Sequence, residues 1–326
     1  MRSFPLLEVE RLTKHFPVRA GVIPRTVGRV HAVDDVSFTL RRGETIGLVG
    51  ESGCGKSTVG KTLLRLYDAT SGTVKFEGKD VSEMNRAQVR ELRKHIQIIF
   101  QDPFESLNAR HTIGKILAEP FVIQKMGTAA ERAQWVGELL NRVGLDVSAS
   151  NRFPHEFSGG QRQRIGIARA IALSPKLIVC DEAVSALDVS VQSQVVNLLL
   201  SLQQEMSLAL MFIAHDLAVV KHVSDRIAVM YLGEIVEMRD GEDIYRSPRH
   251  PYTKALISAI PVADPRNKSQ RTILEGDVPS PINPPSGCRF HTRCQFATPK
   301  CSKYRPELEE LPDGGLVKCL RWNEIN

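Results

Sequence analysis

Hydrophobic and polar positions change period several times along the 326-residue chain. Short β-type stretches come first: Leu7-Glu8-Val9, Val30-His31-Ala32-Val33 and Val36-Ser37-Phe38-Thr39-Leu40, separated by turns. They predict an antiparallel strand layer. After the turn Arg41-Arg42-Gly43-Glu44, Thr45-Ile46-Gly47-Leu48-Val49 reads as a short buried strand. Ser57–Leu66 then carries apolar residues at Val59, Leu63, Leu64 and Leu66, a helical spacing. A strand-like Thr73–Phe76, a turn at Glu77–Asp80, a charged segment Arg86–Lys94 and the apolar strand Ile96–Phe100 follow. The next stretch differs: Leu117–Val122 and Ala130–Val143 show helical spacing with no strand between, which predicts a helical insertion over about 102–157. Gln161–Ala172 reads as a helix with Arg162, Arg164 and Arg169 on polar faces. Then come the continuous apolar run Leu177–Cys180 ending on Asp181-Glu182, a long helix Ser190–Met206 and a strand Leu208–Ala214. Strand–helix–strand alternation with uninterrupted apolar strands predicts a parallel sheet carrying helices on its faces. The strand Arg226–Tyr231 and the hairpin-like Leu232–Glu237 complete the core, and the proline-rich residues 261–287 read as a linker.

Between the strand ending at Val49 and the following helix lies Gly50-Glu51-Ser52-Gly53-Cys54-Gly55-Lys56-Ser57-Thr58, a complete G-x-x-x-x-G-K-[ST] phosphate loop. Glycines let backbone N–H groups turn toward phosphate oxygens, and the helix N-terminus adds positive potential. Lys56 would reach the β- and γ-phosphates, and the Ser57 hydroxyl would sit on a bound Mg²⁺. Asp181, at a strand end, suits Mg²⁺ coordination through water, and Glu182 suits polarising the water that attacks the γ-phosphate. Gln101 and His215 each follow a strand, placed to contact the γ-phosphate, the metal or the attacking water. Phe16, an aromatic in a polar, turn-rich setting, is a candidate for stacking on an adenine ring.

Composition narrows the class. Hydrophobic content of 42% and charged content of 25% are ordinary for a globular protein. The net charge of +6 is scattered and not gathered into one basic run, which favours a solvated surface over a nucleic-acid footprint. No apolar run reaches the ~18–20 residues of a membrane-spanning helix. Met1–Pro5 carries no apolar signal-type core, so the expected location is cytoplasmic. Of six cysteines, Cys54 falls in the phosphate loop and Cys180 ends an apolar strand. The other four, Cys288, Cys294, Cys301 and Cys319, are separated by five, six and seventeen residues, unlike the paired spacing of zinc fingers. Four thiolates could hold Zn²⁺ or an iron–sulfur cluster. His291 lies among them as an alternative ligand.

Taken in order, these residues resemble the ATP-binding subunits of ABC transporters. The resemblance covers about 6–260 and rests on Gly50–Thr58 (Walker A), Gln101 (Q-loop), Ser158-Gly159-Gly160-Gln161 (signature), Leu177–Glu182 (Walker B), Ser185-Ala186-Leu187-Asp188 (D-loop) and His215 (switch histidine). It implies an α/β P-loop NTPase core with a parallel sheet, an antiparallel β layer and a helical insertion, followed over 261–326 by the linker and a small cysteine-containing extension. It also implies an ATPase using ATP and Mg²⁺, with Phe16 on the adenine. Catalysis would fall to Glu182, His215 and Gln101, Mg²⁺ to Ser57, Gln101 and Asp181, and nucleotide contact across a dimer to Ser158–Gln161 and Asp188. One set of motifs per chain requires a second ATP-binding subunit, a distinct relative or else a second copy. Two departures from the family pattern stand out: Phe157 replaces the usual leucine before the signature, and Ala183 the usual proline after Glu182. Loss of that proline leaves the backbone there less constrained.

The segment His250-Pro251-Tyr252-Thr253, the linker and the tract Pro285-Ser286-Gly287-Cys288-Arg289-Phe290-His291 resemble the dipeptide/oligopeptide importer subgroup, whose relatives include nickel and glutathione importers. That resemblance implies a 4Fe-4S cluster on the four cysteines, with Zn²⁺ as the alternative. It also implies two integral membrane permease subunits, an extracytoplasmic solute-binding protein, no nucleic-acid partner, and a peripheral place on the cytoplasmic face of the inner membrane. Phe104 and Glu105 would meet the membrane subunits. The rival is a soluble ABC-type ATPase working on ribosomes or nucleic acid.

Overall fold

A computed structural model describes residues 4–21, 25–102, 106–260, 272 and 274–325. The strands are β1 (Leu7–Ala20), β2 (Arg25–Leu40), β3 (Thr45–Val49), β4 (Ser71–Phe76), β5 (Lys79–Asp80) and β6 (Ile96–Ile99). They continue as β7 (Leu177–Asp181), β8 (Ala209–Ala214), β9 (Arg226–Tyr231), β10 (Glu234–Asp240), β11 (Glu309–Glu310) and β12 (Leu316–Val317). The chain divides into two compact units, one comprising Met1–Arg41, Thr45–Glu83 and Ala214–Asn326, the other Arg42–Glu44 and Met84–Ile213.

In the first unit, β2, β1, β4 and β5 form an antiparallel sheet in that order. Leu7, Val9 and Leu12 alternate toward its core with Val36, Phe38 and Leu40 of the paired strand, all at most 5% exposed. The expected strand layer is present, but β1 and β2 run to 14 and 16 residues where the sequence shows only short pieces. Their outer halves are largely polar and the register shifts at several points, for instance between Val9 and Leu12, so the two-residue period is lost. Phe16 thus lies inside a strand, opposite Val30, and not in a turn. The buried β3 pairs in parallel with β9, which pairs antiparallel with β10. The C-terminal extension joins this unit: β12 adds to β10 and β11 to β12.

In the second unit β6, β7 and β8 run parallel, with Leu177 opposite both Ile96 and Ala209. Every residue of β7 and β8 is buried, as expected of parallel strands covered on both faces. The helical insertion contains the helices Ile113–Ile123 and Ala129–Arg142 and two short 3₁₀ turns. The signature helix is Gly159–Ile171. Its arginines do not lie on a solvated face. Arg162 is 8% exposed and donates to the carbonyls of Pro154 (2.7 Å) and His155 (3.2 Å). Arg164 donates to Val143 O (3.1 Å) and Gln194 Oε1 (3.1 Å), and Arg169 to Ser106 O (2.5 Å). Their guanidinium forks satisfy carbonyls and, for Arg164, a side-chain amide as well, which a polar-residue count cannot distinguish from exposure. No helix among the described residues is long and apolar enough to cross a membrane.

Candidate functional site

The phosphate loop connects β3 to the helix Lys56–Leu63, whose N-cap is Gly55. Gly55 has φ 107°, and a Cβ there would lie 1.9 Å from the Ala32 carbonyl oxygen, so sterics as well as backbone freedom require glycine. Lys56 is buried, its Nζ donating to the carbonyls of Gly50 (2.8 Å) and Glu51 (3.0 Å). Cys54 is buried beneath the loop, and burial pushes its thiol above the usual range, the behaviour of a packing residue. The Cys54 carbonyl accepts from Gly233 N (2.9 Å), and Gly233 O accepts from Asp34 N (2.8 Å), tying the loop to neighbouring backbone.

Glu51, the first variable residue of the loop, is held at three points. Its N–H donates to the Tyr252 hydroxyl (2.9 Å), its carbonyl accepts from Lys56, and its carboxylate takes both arms of Arg293 (2.7 and 3.1 Å). Tyr252 is buried against Tyr231 and Phe290, at ring-centroid distances of 4.8 and 5.4 Å. The buried His250 caps the helix Pro251–Ser258, which carries Tyr252, by accepting from Tyr252 N (3.1 Å). Burial lowers its pKa to about 3, so it accepts as neutral imidazole. Glu237, fully buried, accepts from the N–H groups of Arg249 and His250 at 2.8 Å each. The sequence marks the His250–Thr253 segment but not its link to the phosphate loop, because Glu51 and Tyr252 stand 201 positions apart.

Phe16 is half-buried, packed edge-on against Tyr67 (5.2 Å), with the Lys14 ammonium 4.8 Å from its ring centroid. His215 is exposed just after β8, next to Asp216, which caps the following helix by accepting from Ala218 N (2.8 Å).

In the second unit, Asp181 ends β7 and is 5% exposed. Glu182 follows with φ 50°, in the left-handed region, its N–H donating to Ile213 O (2.9 Å) and its carbonyl accepting from Ser185 N (3.1 Å) and Oγ (2.9 Å). A non-glycine residue held there costs on the order of 1–2 kcal/mol, which the turn's hydrogen bonds offset. Ala183 is 2% exposed. Gln101 is exposed beyond β6. Ser158 caps the signature helix in a reciprocal box: its Oγ accepts from Gln161 N (3.3 Å) and its N–H donates to Gln161 Oε1 (3.1 Å). Gly159 and Gly160 therefore open the helix with N–H groups at its positive end. Phe157 is 4% exposed, with the Arg152 guanidinium 4.3 Å from its ring, so the larger side chain is accommodated. Asp188 caps the helix Val189–Met206 through Val191 N (2.9 Å). Phe104 and Glu105 lie outside the described residues.

The C-terminal extension gathers Cys288, Cys294, Cys301 and Cys319 around one largely apolar pocket, together with His250, Phe290, His291 and Phe296. A backbone N–H is aimed at each sulfur: Phe290 to Cys288, Phe296 to Cys294, Thr298 to Cys301 (3.5 Å) and Arg321 to Cys319. Burial and mutual repulsion nevertheless push Cys288 up to about 12 and Cys319 to about 11, so four thiolates here require a compensating cation. His291 Nδ1 lies 2.8 Å from the Cys288 carbonyl. Among the described residues, the one group whose ligand atoms all lie within 4.8 Å of one another is elsewhere, at His15, His31 and Asp34.

A phosphate loop at a strand–helix junction, an acidic strand end and a capped glycine-rich helix define a P-loop ATPase. Residues 33–185 match the ABC transporter family, and residues 236–301 match the oligopeptide/dipeptide transporter C-terminal region. The oligopeptide transport ATP-binding protein AppF of Bacillus subtilis is 53% identical over 317 residues, 96% of each chain. A putative peptide import ATP-binding protein of Brucella abortus is 51% identical over 323 residues, 99% of this chain and all of its own. Among solved structures, cbiO1 of Clostridium perfringens, part of an ABC transporter complex, superposes with TM-score 0.64 at 25% identity over 74% of this chain and 91% of its own. A dimeric ATP-binding cassette bound to ADP and Pi superposes with TM-score 0.64 at 26% identity over 72% of this chain and 98% of its own. The chain belongs to the ABC transporter family and is one of its ATP-hydrolysing subunits.

Proposed function

We propose that this ATPase powers import of dipeptides, oligopeptides or related small solutes through a binding-protein-dependent membrane complex. The observation carrying this is the match of residues 236–301 to the oligopeptide/dipeptide transporter region, in a chain 53% identical across its length to an oligopeptide transport ATP-binding protein. Its partners are then two integral membrane permeases, a second ATP-binding subunit and an extracytoplasmic solute-binding protein, and its place is the cytoplasmic face of the membrane. Work on ribosomes or nucleic acid is not favoured, since the relatives named above are transport proteins.

In this reading the loop Gly50–Thr58 cradles the phosphates, Lys56 neutralises them and Phe16 meets the adenine. Ser57, Asp181 and Gln101 hold Mg²⁺. Glu182 draws the proton from the attacking water while His215 steadies the γ-phosphate. Ser158, Gly159, Gly160 and Gln161, with Asp188, meet the nucleotide held by a partner subunit; the glycine N–H groups at a capped helix start support this role. Affinity isolation of the chain from solubilised membranes tests the assembly. Membrane permeases and a second ATP-binding subunit are the expected partners. Salt-sensitive recovery of ribosomes or nucleic acid in their place would overturn it.

The four cysteines would hold a 4Fe-4S cluster. Support comes from the gathering of the four cysteines around one pocket and from the N–H group aimed at each sulfur, a feature that stabilises cluster thiolates. Such a cluster supplies electron transfer or a structural clasp. Anaerobic purification followed by iron and labile-sulfide analysis should find about four of each; a colourless protein holding one zinc would refute the cluster.

A further inference from the structure

The geometry points to Arg293 as a positioning residue of the nucleotide site, through which the four-cysteine lobe sets the charge of the phosphate loop. The inference rests on the reading that Gly50–Thr58 binds MgATP. A carboxylate at Glu51, left unpaired, would repel the phosphates that the loop receives. The structure disposes of that charge. Arg293 grips both carboxylate oxygens in a bidentate fork (2.7 and 3.1 Å), and the side chains of Arg293 and Glu51 are only 7% and 26% exposed, where screening by salt is weak. Tyr231 is buried and packs edge-on against Phe290, the neighbour of this turn (5.2 Å between ring centroids).

Arg293 owes its place to the lobe. It closes the 3₁₀ turn His291–Arg293, its N–H donates to Phe290 O (3.0 Å), and the next residue is Cys294. The same turn is bonded to Cys288 through His291 N (3.0 Å), so two of the four cysteines bracket the arginine. Phe290 is packed on Tyr252, whose hydroxyl accepts from Glu51 N. Lobe and loop thus meet at Glu51 through its backbone and its side chain at once. Disturbing the cysteines would shift Arg293, free the carboxylate and weaken the hold on the triphosphate, with no residue of the lobe touching the nucleotide.

Equilibrium titration of the full chain with a fluorescent ATP analogue and Mg²⁺ tests this. Arg293→Ala should weaken binding about tenfold, and Arg293→Lys by less, because it returns the charge without the fork. Adding Glu51→Gln to Arg293→Ala should restore affinity to within about twofold, since the repelling charge is then gone. Glu51→Gln alone, which leaves Arg293 uncompensated, should bind more tightly than the natural chain. Cys294→Ser should weaken binding and be corrected by the same Glu51→Gln change. Unchanged affinity in Arg293→Ala would overturn the proposal, as would a loss that Glu51→Gln fails to restore, the mark of a merely structural arginine. Natural affinity in Cys294→Ser would overturn the link to the lobe. Lys56→Ala, run beside them, separates the two levels: if it binds normally, the reading of the loop as the MgATP site fails instead.

Discussion

Two glycines of one loop give a steric test of the nucleotide site. Gly53 has φ 78° with nothing within 4 Å of a Cβ placed on it, whereas Gly55 has φ 107° and its Cβ would lie 1.9 Å from Ala32 O, against 3.4 Å for ordinary contact. Alanine at Gly53 therefore incurs only the left-handed backbone penalty, about 1 kcal/mol after the smaller entropy of its unfolded chain is allowed for. Alanine at Gly55 incurs a larger backbone penalty and a clash with main chain. Ala32 lies in β2, and nearby Asp34 N is bonded to Gly233 O (2.8 Å), so the strand resists displacement and the loop must move. A total of about 3 kcal/mol or more is expected, with MgATP affinity reduced at least about thirtyfold because the loop N–H groups no longer converge. Thermal unfolding with and without MgATP, beside titration with a fluorescent ATP analogue, measures both quantities. Equal losses in the two variants, or natural affinity in Gly55→Ala, would refute the steric argument.

Other perturbations separate chemistry from scaffold. Glu182→Gln should bind MgATP normally while hydrolysis falls at least about a hundredfold in phosphate-release assays, because the group that accepts the water's proton is gone. Arg162→Met keeps the stem but removes the guanidinium from the carbonyls of Pro154, which retains the Phe157 N–H (3.2 Å), and His155; a cost of about 1–3 kcal/mol is expected by chemical unfolding, with the turn before Ser158 exchanging its amides faster. His250 is held neutral down to about pH 3. Unfolded histidine binds a proton near 6.5, so the unfolded chain takes up more protons between about pH 6.5 and 3, and stability should fall as pH drops through that window. Glu237, whose pKa burial raises, acts oppositely just above the ordinary carboxylate range and blunts the upper part of this loss. His250→Asn, which can still cap Tyr252 N, should flatten the acid limb in unfolding curves taken across that range.

The parts of the fold legible in the sequence are those set by neighbours in the chain. The phosphate loop, the buried strands Thr45–Val49 and Leu177–Asp181 and the signature helix follow from local sterics and period, and the structure places them within a few residues of the expected bounds. The outer halves of β1 and β2 escape because bulges and polar faces erase the alternation, and the arginines of the signature helix because a buried fork and a solvated one are written with the same letter. The four cysteines show the limit from the other side. Their irregular intervals give no ligand pattern, yet the chain folds all four sulfurs toward one pocket.

The contact of Arg293 with Glu51 spans 242 positions and carries no local signature at all. Its one trace in the sequence is an acidic residue inside a loop built for phosphate. A charge that opposes the evident chemistry of its motif must be neutralised by something distant, and here the neutralising group comes from the extension that the phosphate-loop pattern leaves unexplained. The same reasoning applies to His250 and Glu237, polar groups that are buried and satisfied by backbone. They fix the helix that carries Tyr252, and Tyr252 fixes the start of the loop. The extension is therefore part of what shapes the nucleotide site, and removing it should weaken MgATP binding even though every catalytic motif would remain in the chain.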